Sequence, residues 1–205
     1  NPKPSCDITT DSPVCQDSGN HIASVTQDGA TYSWWIVGNA TYVSGNGTKQ
    51  MTWAPSNPGN ATIYVTVTKD GCSANCNTTV TINPNPTVSV ADVTVCAGGN
   101  TTLTAVPGNE CTITNYQWYK GSIQEANNVG TNSSTYAAPS VVASSGTYWV
   151  VVTCAAGCQG NDSAVLTIDT KPTVSVADVT VCAGGDTTLT AVPGNECTIT
   201  NYQWD

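Results

Sequence analysis

The sequence has no arginine and no phenylalanine, and it contains one histidine, one methionine and only five lysines among its 205 residues. With 14 acidic residues, the formal net charge is −9. Nucleic acids and anionic membranes attract cationic surfaces, so neither is an expected partner. The chain also lacks an apolar run long enough for a transmembrane helix, so we expect no membrane insertion in this segment. Without an initiator methionine or a signal peptide, it is expected to be a mature protein or an excerpt from a longer one.

Catalytic patterns are missing as well. The single histidine, His21, lies in the stretch GNHIASV, which predicts neither a partner base nor an oxyanion site of the kind that a Ser–His–Asp enzyme needs. The sequence therefore predicts no catalytic residue, and we do not expect an enzyme.

Ligands for a metal ion are not grouped either. Ca²⁺ needs six to eight converging oxygen atoms, and no D-x-D-x-[DN]-G loop is present. We therefore predict no cofactor, with Ca²⁺ at a domain junction as the weaker alternative. The carboxylates of the best-patterned part of the chain are scattered, at Asp92, Glu110, Glu125, Asp162 and Asp169.

A long internal repeat dominates what is present. Residues Pro86–Trp118 recur 86 positions later as Pro172–Trp204, and the only change is that Asp186 stands where the first copy has Asn100. A fixed period of this kind indicates an array of similar domains. We predict domains over residues 1–84 and 85–171, and an incomplete third domain of three strands over 172–205. The short, proline-rich junctions between them favour an extended string.

The composition between the turns is that of β-structure. Threonine, valine and tyrosine are common, and glycine, proline and asparagine separate short runs. Regular strands are predicted at 31–37, 61–67, 87–95 and 146–152. Short strands with turn signals every 8–12 residues predict an all-β sandwich.

Several stretches of the second domain resemble a known family. In order they are VCAGG, TTLTA, YQWYKG, GTYWVVVT and GC, and they resemble the tandem immunoglobulin-like and PKD-like repeats of very large bacterial surface proteins, including adhesins. The stretch SGNGTKQMTW makes the first domain more similar to the PKD-like subtype. The resemblance implies an all-β fold of tandem Ig-like β-sandwich domains in a linear, disulfide-stapled array at the cell surface.

The function implied is structural or adhesive, as a surface fibre, filament or stalk. Its partners would be further repeats of the same chain, neighbouring copies of it, or surface glycans. A carbohydrate-binding accessory region of a larger secreted protein is the alternative.

Ten cysteines with no strong zinc spacing indicate disulfides in an oxidising, extracellular compartment. Zinc held by the C-x₃-C pairs Cys72/Cys76 and Cys154/Cys158 is the weaker alternative. Antibody domains join two facing strands by a disulfide, but here Leu103 and Val150 stand at those positions. Four cysteines in a domain allow three pairings, so the choice stays a hypothesis. Aligning the two domains suggests Cys15–Cys72 and Cys96–Cys158, which leaves Cys6–Cys76 and Cys111–Cys154, with Cys182 and Cys197 unpaired in this segment.

The incomplete third domain would expose apolar residues. We expect either that the array continues or that strands of a neighbouring chain complete this domain. The residues concerned are Val174, Val176, Leu189, Ile199 and Trp204.

Aromatic residues and sequons suggest two kinds of contact with sugars. Trp34, Trp118 and Trp204 are predicted to lie in the domain cores, whereas Trp35, Trp53 and Trp149 are predicted to face outward, where an aromatic row would suit a glycan. N-x-[ST] sequons also predict partial glycosylation. They begin at Asn39, Asn46, Asn60, Asn77, Asn100, Asn132 and Asn161.

Overall fold

The structure is a computed structural model that describes residues 1–108, 110–194 and 199–204. Its regular elements in these ranges are β-strands and two short 3₁₀ turns, which confirms the all-β prediction. The chain divides into two compact units. The first contains Asn1–Val88, Pro107–Tyr116 and Val151–Asn161, and the second contains Ser89–Val106, Gln117–Val150 and Asp162–Asp205. The domain boundaries at 84/85 and 171/172 stay predictions.

Two four-stranded sheets form most of the first unit, with the orders β1-β3-β6-β5 and β2-β8-β7-β4. All neighbouring strands are antiparallel except β2 and β8, which run parallel. The strands are β1 (Ile8–Thr9), β2 (Val14–Cys15), β3 (His21–Val25), β4 (Thr31–Gly38), β5 (Ala40–Ser44), β6 (Gln50–Pro55), β7 (Gly59–Lys69) and β8 (Cys72–Asn83).

The core of this unit follows from strict alternation along its strands. In β7 every second residue is buried, because successive side chains of a strand point to opposite faces. Trp53 and Met51 of β6 lie on the same buried face, and both are fully inaccessible to solvent. Trp34, Val80 and Ile82 join them, as the sequence predicted.

Strands β9 to β16 form a five-stranded sheet of order β10-β16-β15-β12-β13 and a three-stranded sheet of order β14-β11-β9. Leu103, Trp118 and Val150 are fully buried, so the positions of the antibody cysteines are filled by apolar packing. The strands are β9 (Val88–Val90), β10 (Val93–Cys96), β11 (Thr102–Pro107), β12 (Ile113–Lys120), β13 (Asn128–Thr131), β14 (Thr135–Ala137), β15 (Gly146–Cys154) and β16 (Gln159–Asp169), and the 3₁₀ turns are Glu125–Asn127 and Val142–Ser144.

The single strand predicted over 87–95 is wrong, because the chain breaks there into β9 and β10. Strand β9 belongs to the three-stranded sheet, whereas β10 pairs in parallel with β16 in the other sheet. Asp92 lies at the break, and its carboxylate accepts a hydrogen bond of 2.7 Å from the amide of Val165. One segment thus supplies an edge to both sheets.

Among its described residues, the third repeat forms the hairpin β17 (Val174–Val176) and β18 (Ala191–Pro193). The prediction of three strands is wrong for the described residues, since 199–204 are not in a strand. Trp204 is 55% exposed and Leu189 is 50% exposed, as expected for an incomplete domain, whereas the prediction of Trp204 as a core residue is wrong. Both residues lack the covering strands that bury their counterparts in the second repeat.

Candidate functional site

Three disulfides lie in the first unit. Cys6 is bonded to Cys76 and Cys111 is bonded to Cys154, with Cα–Cα distances of 5.8 and 5.9 Å, and these are the two pairs expected from the sequence. The third bond joins Cys15 to Cys158, with a Cα–Cα distance of 5.4 Å. It spans 143 positions and crosses the predicted domain boundary. Cys72, Cys96 and Cys182 are free thiols. Cys197, which the sequence also predicted to be unpaired, lies outside the described residues.

The predicted pairs Cys15–Cys72 and Cys96–Cys158 are therefore wrong, and strand direction explains why. Cys15 lies opposite Asn83, at the end of β8, whereas Cys72 is the first residue of that 12-residue strand. The two positions are separated by about 36 Å of strand at 3.3 Å per residue. A disulfide needs Cα atoms within about 7 Å. The same geometry separates Cys96, which lies opposite Asp169 at the end of β16, from Cys158, which directly precedes the first residue of that strand.

The chain around the Cys15–Cys158 bond is packed closely. Asn83 and Pro84 line one small cavity together with Cys111, Cys154 and Cys158. A Cβ atom on Gly160 would lie 1.8 Å from the carbonyl oxygen of Pro86, so this close approach requires glycine. The segments that follow Asn83 and Cys158 therefore lie against each other beside the disulfide.

Glu110 contributes a hydrogen-bonded contact to the same part of the unit. Its carboxylate accepts a hydrogen bond of 2.7 Å from the hydroxyl of Thr87 and one of 3.3 Å from the Thr87 amide. The Thr87 hydroxyl, and after it the backbone amides, lower the pKa of Glu110 below its ordinary value of 4.5. Residue 87 directly follows the proline-rich junction, so the ionised carboxylate holds the start of the second repeat.

The remaining carboxylates do not converge. The Asp162 carboxylate accepts a hydrogen bond of 2.9 Å from the Val90 amide, and the Asp92 carboxylate accepts one from the Val165 amide. Asp169 accepts from Ala97 through its backbone carbonyl, and Glu125 begins a 3₁₀ turn. Among the described residues there is no group of three or more His, Cys, Asp or Glu side chains that would hold a metal ion. The zinc alternative is wrong for Cys76, Cys154 and Cys158, because each is bonded to another cysteine.

The structure brings together three residues that the sequence did not connect. The Nε2 atom of His21 lies 2.7 Å from the Ser18 hydroxyl, and its Nδ1 atom lies 3.1 Å from the Asp11 carboxylate. The arrangement of Asp11, His21 and Ser18 resembles a catalytic triad. However, the Asp11 side chain is 73% exposed, whereas a triad aspartate is buried. The His21 ring also packs on Trp53, at 5.1 Å between ring centroids. This row therefore ties the segment before β3 to the core.

The tryptophans divide differently from the prediction. Trp53 is fully buried, so its predicted outward orientation is wrong, and its indole N–H donates a 3.0 Å hydrogen bond to Thr10. The alternation of Met51, Trp53 and Pro55 on one face of β6 is the signal that would have placed it. Trp35 is 41% exposed and stacks on Tyr64 at 5.1 Å and 3°. Trp149 is half-buried, and its indole N–H donates to the Gly121 carbonyl.

Six of the seven sequon asparagines are exposed. Asn77 is one of them and lies opposite Tyr64 in the register of β7 and β8. Asn39 differs, because it is half-buried and its Nδ2 atom donates a 2.7 Å hydrogen bond to the Pro58 carbonyl. That nitrogen is the atom to which an N-linked glycan would attach, so Asn39 is the poorest acceptor of the set.

These features define the chain as an Ig-like β-sandwich protein stapled by disulfides. Residues 84–172 match the family model described as Ig-like domain, CHU_C associated. A search of curated proteins found no match. No helix of the described residues has the length and hydropathy that a bilayer crossing requires. Disulfides persist in oxidising compartments, and three of them are typical of secreted and extracellular proteins.

Two of the solved structures to which this chain is similar are a titin chimera and a part of Drosophila OTK. A chimeric titin Z1Z2 carrying a KLER peptide from decorin is 14% identical, covers 78% of this chain and 96% of its own, and has a TM-score of 0.31. Extracellular domains 3–5 of Drosophila OTK are 17% identical and cover 79% of this chain, with a TM-score of 0.41. The match extends over 62% of the OTK chain. Nothing about function follows from likeness at this level.

Proposed function

We propose that the chain is part of an extracellular array of Ig-like repeats that serves as a structural or adhesive fibre or stalk on the cell surface. The observation that supports this most directly is the Cys15–Cys158 disulfide, which ties the first repeat to the second across 143 positions. A bond of this kind constrains the chain mechanically. It contributes to the resistance of a chain that is pulled from its ends.

The contacts beside the bond support the same role. Pro84 and Pro86 restrict the backbone of the junction, because the proline ring fixes φ. The Pro86 carbonyl lies against Gly160, and Thr87 is held by Glu110. The disulfide bypasses this junction, so tension between the chain ends passes through the Cys15–Cys158 bond without first unfolding the sandwich.

The exposed faces suit a chain that stays soluble at high local concentration. The outer face of the β4–β7–β8 sheet carries threonine pairs, such as Thr62 with Thr79, and the exposed sequon at Asn77. We propose in addition that the first domain is PKD-like, that the surface is partially glycosylated, and that the partners are further repeats or neighbouring copies of the chain.

Immuno-electron microscopy of the producing cells, with an antibody raised against the second repeat, tests the proposal. We expect label outside the cell envelope, in rows at a distance from the surface, and loss of the label when the gene is deleted. Label confined to the cytoplasm would refute an extracellular fibre.

One observation favours a second candidate, carbohydrate binding. Trp35 and Tyr64 stack on the outer face of the sheet and present a partly exposed aromatic surface. On a glycan array, the chain and a Trp35→Ala variant are compared. Selective binding that the variant loses would favour an accessory module for carbohydrate binding. Equal signals from both proteins would leave the structural role as the better account.

A further inference from the structure

Cys96 occupies in the second repeat the place that Cys15 occupies in the first. Cys15 ends a short strand that runs parallel to β8 opposite Asn83, and the next amide, of Gln16, donates a 2.8 Å hydrogen bond to the Asn83 carbonyl. Cys96 ends a short strand parallel to β16 opposite Asp169, and the next amide, of Ala97, donates a 2.8 Å hydrogen bond to the Asp169 carbonyl. Cys15 is bonded, whereas Cys96 is exposed and free.

Cys72 and Cys158 are equivalent in the same way. Each follows a glycine in the left-handed region, Gly71 at φ +80 and Gly157 at φ +84. Cys72 is the first residue of β8 and Cys158 directly precedes β16, so each lies 11 positions before the last residue of that strand, Asn83 or Asp169. Cys158 is bonded to Cys15, whereas Cys72 is half-buried and free.

The segment beside Cys72 gives a second, independent indication. Residues 1–4, NPKP, align with the junction NPNP of residues 83–86, so Asn1 corresponds to Asn83. The Cys72 thiol donates to the Asn1 carbonyl at 3.4 Å, and the side-chain Nδ2 of Asn1 donates to the Asp70 carbonyl at 3.2 Å. Asn83 lies near Cys158 in turn, since both residues line one cavity. A strand paired with Asn1 as Cys15 is paired with Asn83 would therefore carry its cysteine to Cys72.

We propose that Cys72 and Cys96 are the open ends of a staggered disulfide ladder. In this ladder, the cysteine that ends the first parallel strand of each repeat bonds to the Gly-Cys hairpin of the repeat that follows. Cys15–Cys158 is one rung. Cys96 bonds to the hairpin cysteine of a following repeat, and Cys72 bonds to the strand cysteine of a preceding one. The inference deepens the proposed fibre and rests on it, because it names the chemistry that joins successive repeats.

The reaction is an ordinary oxidation of two thiols. Two S–H groups lose two protons and two electrons as one S–S bond forms, and a disulfide co-reactant such as oxidised glutathione takes them up and becomes two thiols. Both cysteines are accessible to such an oxidant, since Cys96 is exposed and Cys72 is half-buried.

The partner repeat has two sources, a continuation of the same chain or a second copy, and two protein forms separate them. In the first, residues 119–171 are fused directly after Trp204, so that the chain's own sequence completes the third repeat. In the second, the 205-residue chain is used alone at high concentration. Both are refolded in a glutathione buffer, the free thiols are alkylated, and peptides are mapped without reduction.

For the fused form, we expect Cys96 to escape alkylation. We also expect a peptide that links Cys96 to the added copy of Cys158. For the chain alone, a dimer linked from Cys96 to Cys72 would show that a second copy also serves. Cys96→Ser should abolish both links, whereas Cys72→Ser should abolish only the dimer. Retention of the Cys15–Cys158 peptide verifies that each variant has folded.

Full alkylation of Cys96 in both forms, with the Cys15–Cys158 bond intact, would overturn the proposal. A bond from Cys96 to the Cys158 of its own repeat would also overturn it. Peptide mapping reports pairing wherever the protein resides, so this result is independent of the microscopy that tests the extracellular role.

Discussion

The Cys15–Cys158 disulfide should set how far the chain extends when its two ends are pulled apart. Tension that enters at the first residues passes through this bond and leaves after Cys158, so the intervening 143 positions carry no load. At ~3.5 Å per fully extended residue, the bond withholds about 500 Å of contour length. The loaded path is then about 60 residues, or roughly 210 Å.

Single-molecule force spectroscopy measures this directly, with handles attached at the two termini. We expect the oxidised chain to stop at roughly 210 Å and the fully reduced chain at roughly 710 Å. An oxidised chain that extends as far as the reduced one would refute the reasoning.

Double variants show which disulfide is responsible. Without Cys15 and Cys158, the other two disulfides still shorten the path to about 90 residues, so the final extension should rise by only about 100 Å. Replacing Cys111 and Cys154 should leave the extension of the oxidised chain unchanged, because that loop lies inside the protected segment. A gain from the second pair of substitutions would contradict the assigned load path.

Three further predictions concern stability and catalysis. Trp53→Ala should cost about 3–5 kcal/mol in urea unfolding, because the side chain is fully buried, whereas Trp35→Ala should cost about 1 kcal/mol or less; the reverse order would contradict the assigned core. The pKa of Glu110 is lowered in the folded state, so its carboxylate adds stability above pH 4.5 that is lost as the pH falls through the lowered pKa. Thermal melts from pH 7 to pH 3 should therefore show a smaller acid loss for Glu110→Gln than for the parent chain, and parallel curves would contradict the assignment. His21→Ala should lower stability by about 1 kcal/mol through its lost hydrogen bonds, and a fluorophosphonate probe should not label Ser18; labelling that the variant abolishes would contradict the structural role.

Period and alternation predicted much of the fold. The 86-residue repeat indicated similar domains, and the alternating residues that include Val80, Ile82 and Leu166 are buried as expected. The same rule applied to β6 would also have placed Trp53 correctly, since it shares a face with Met51.

The cysteine pairing was harder to predict, because aligning repeats identifies equivalent positions but not the distances between them. Cys15 and Cys72 are equivalent to Cys96 and Cys158, and the alignment detected that correspondence. It did not show that the two positions of one repeat lie at opposite ends of a 12-residue strand. The Asp11–His21–Ser18 row was missed for a similar reason, since turns rather than a period bring those side chains together.

The repeat Pro86–Trp118 and its copy Pro172–Trp204 have nearly the same sequence but different surroundings. Comparing them separates what the local sequence determines from what tertiary packing determines. In both, the first strand and the strand after the glycine turn pair alike, and the amides of Gly108 and Gly194 donate to the carbonyls of Thr87 and Thr173 at the same 2.9 Å. The sequence of the repeat itself determined that hairpin, because both of its strands lie within one copy and it forms where the later strands are lacking. Burial was decided elsewhere: Leu103 is 0% exposed and Leu189 is 50% exposed. The difference arises because an apolar side chain is removed from water only when strands such as β15 and β16 lie over it, and those strands come from distant parts of the chain.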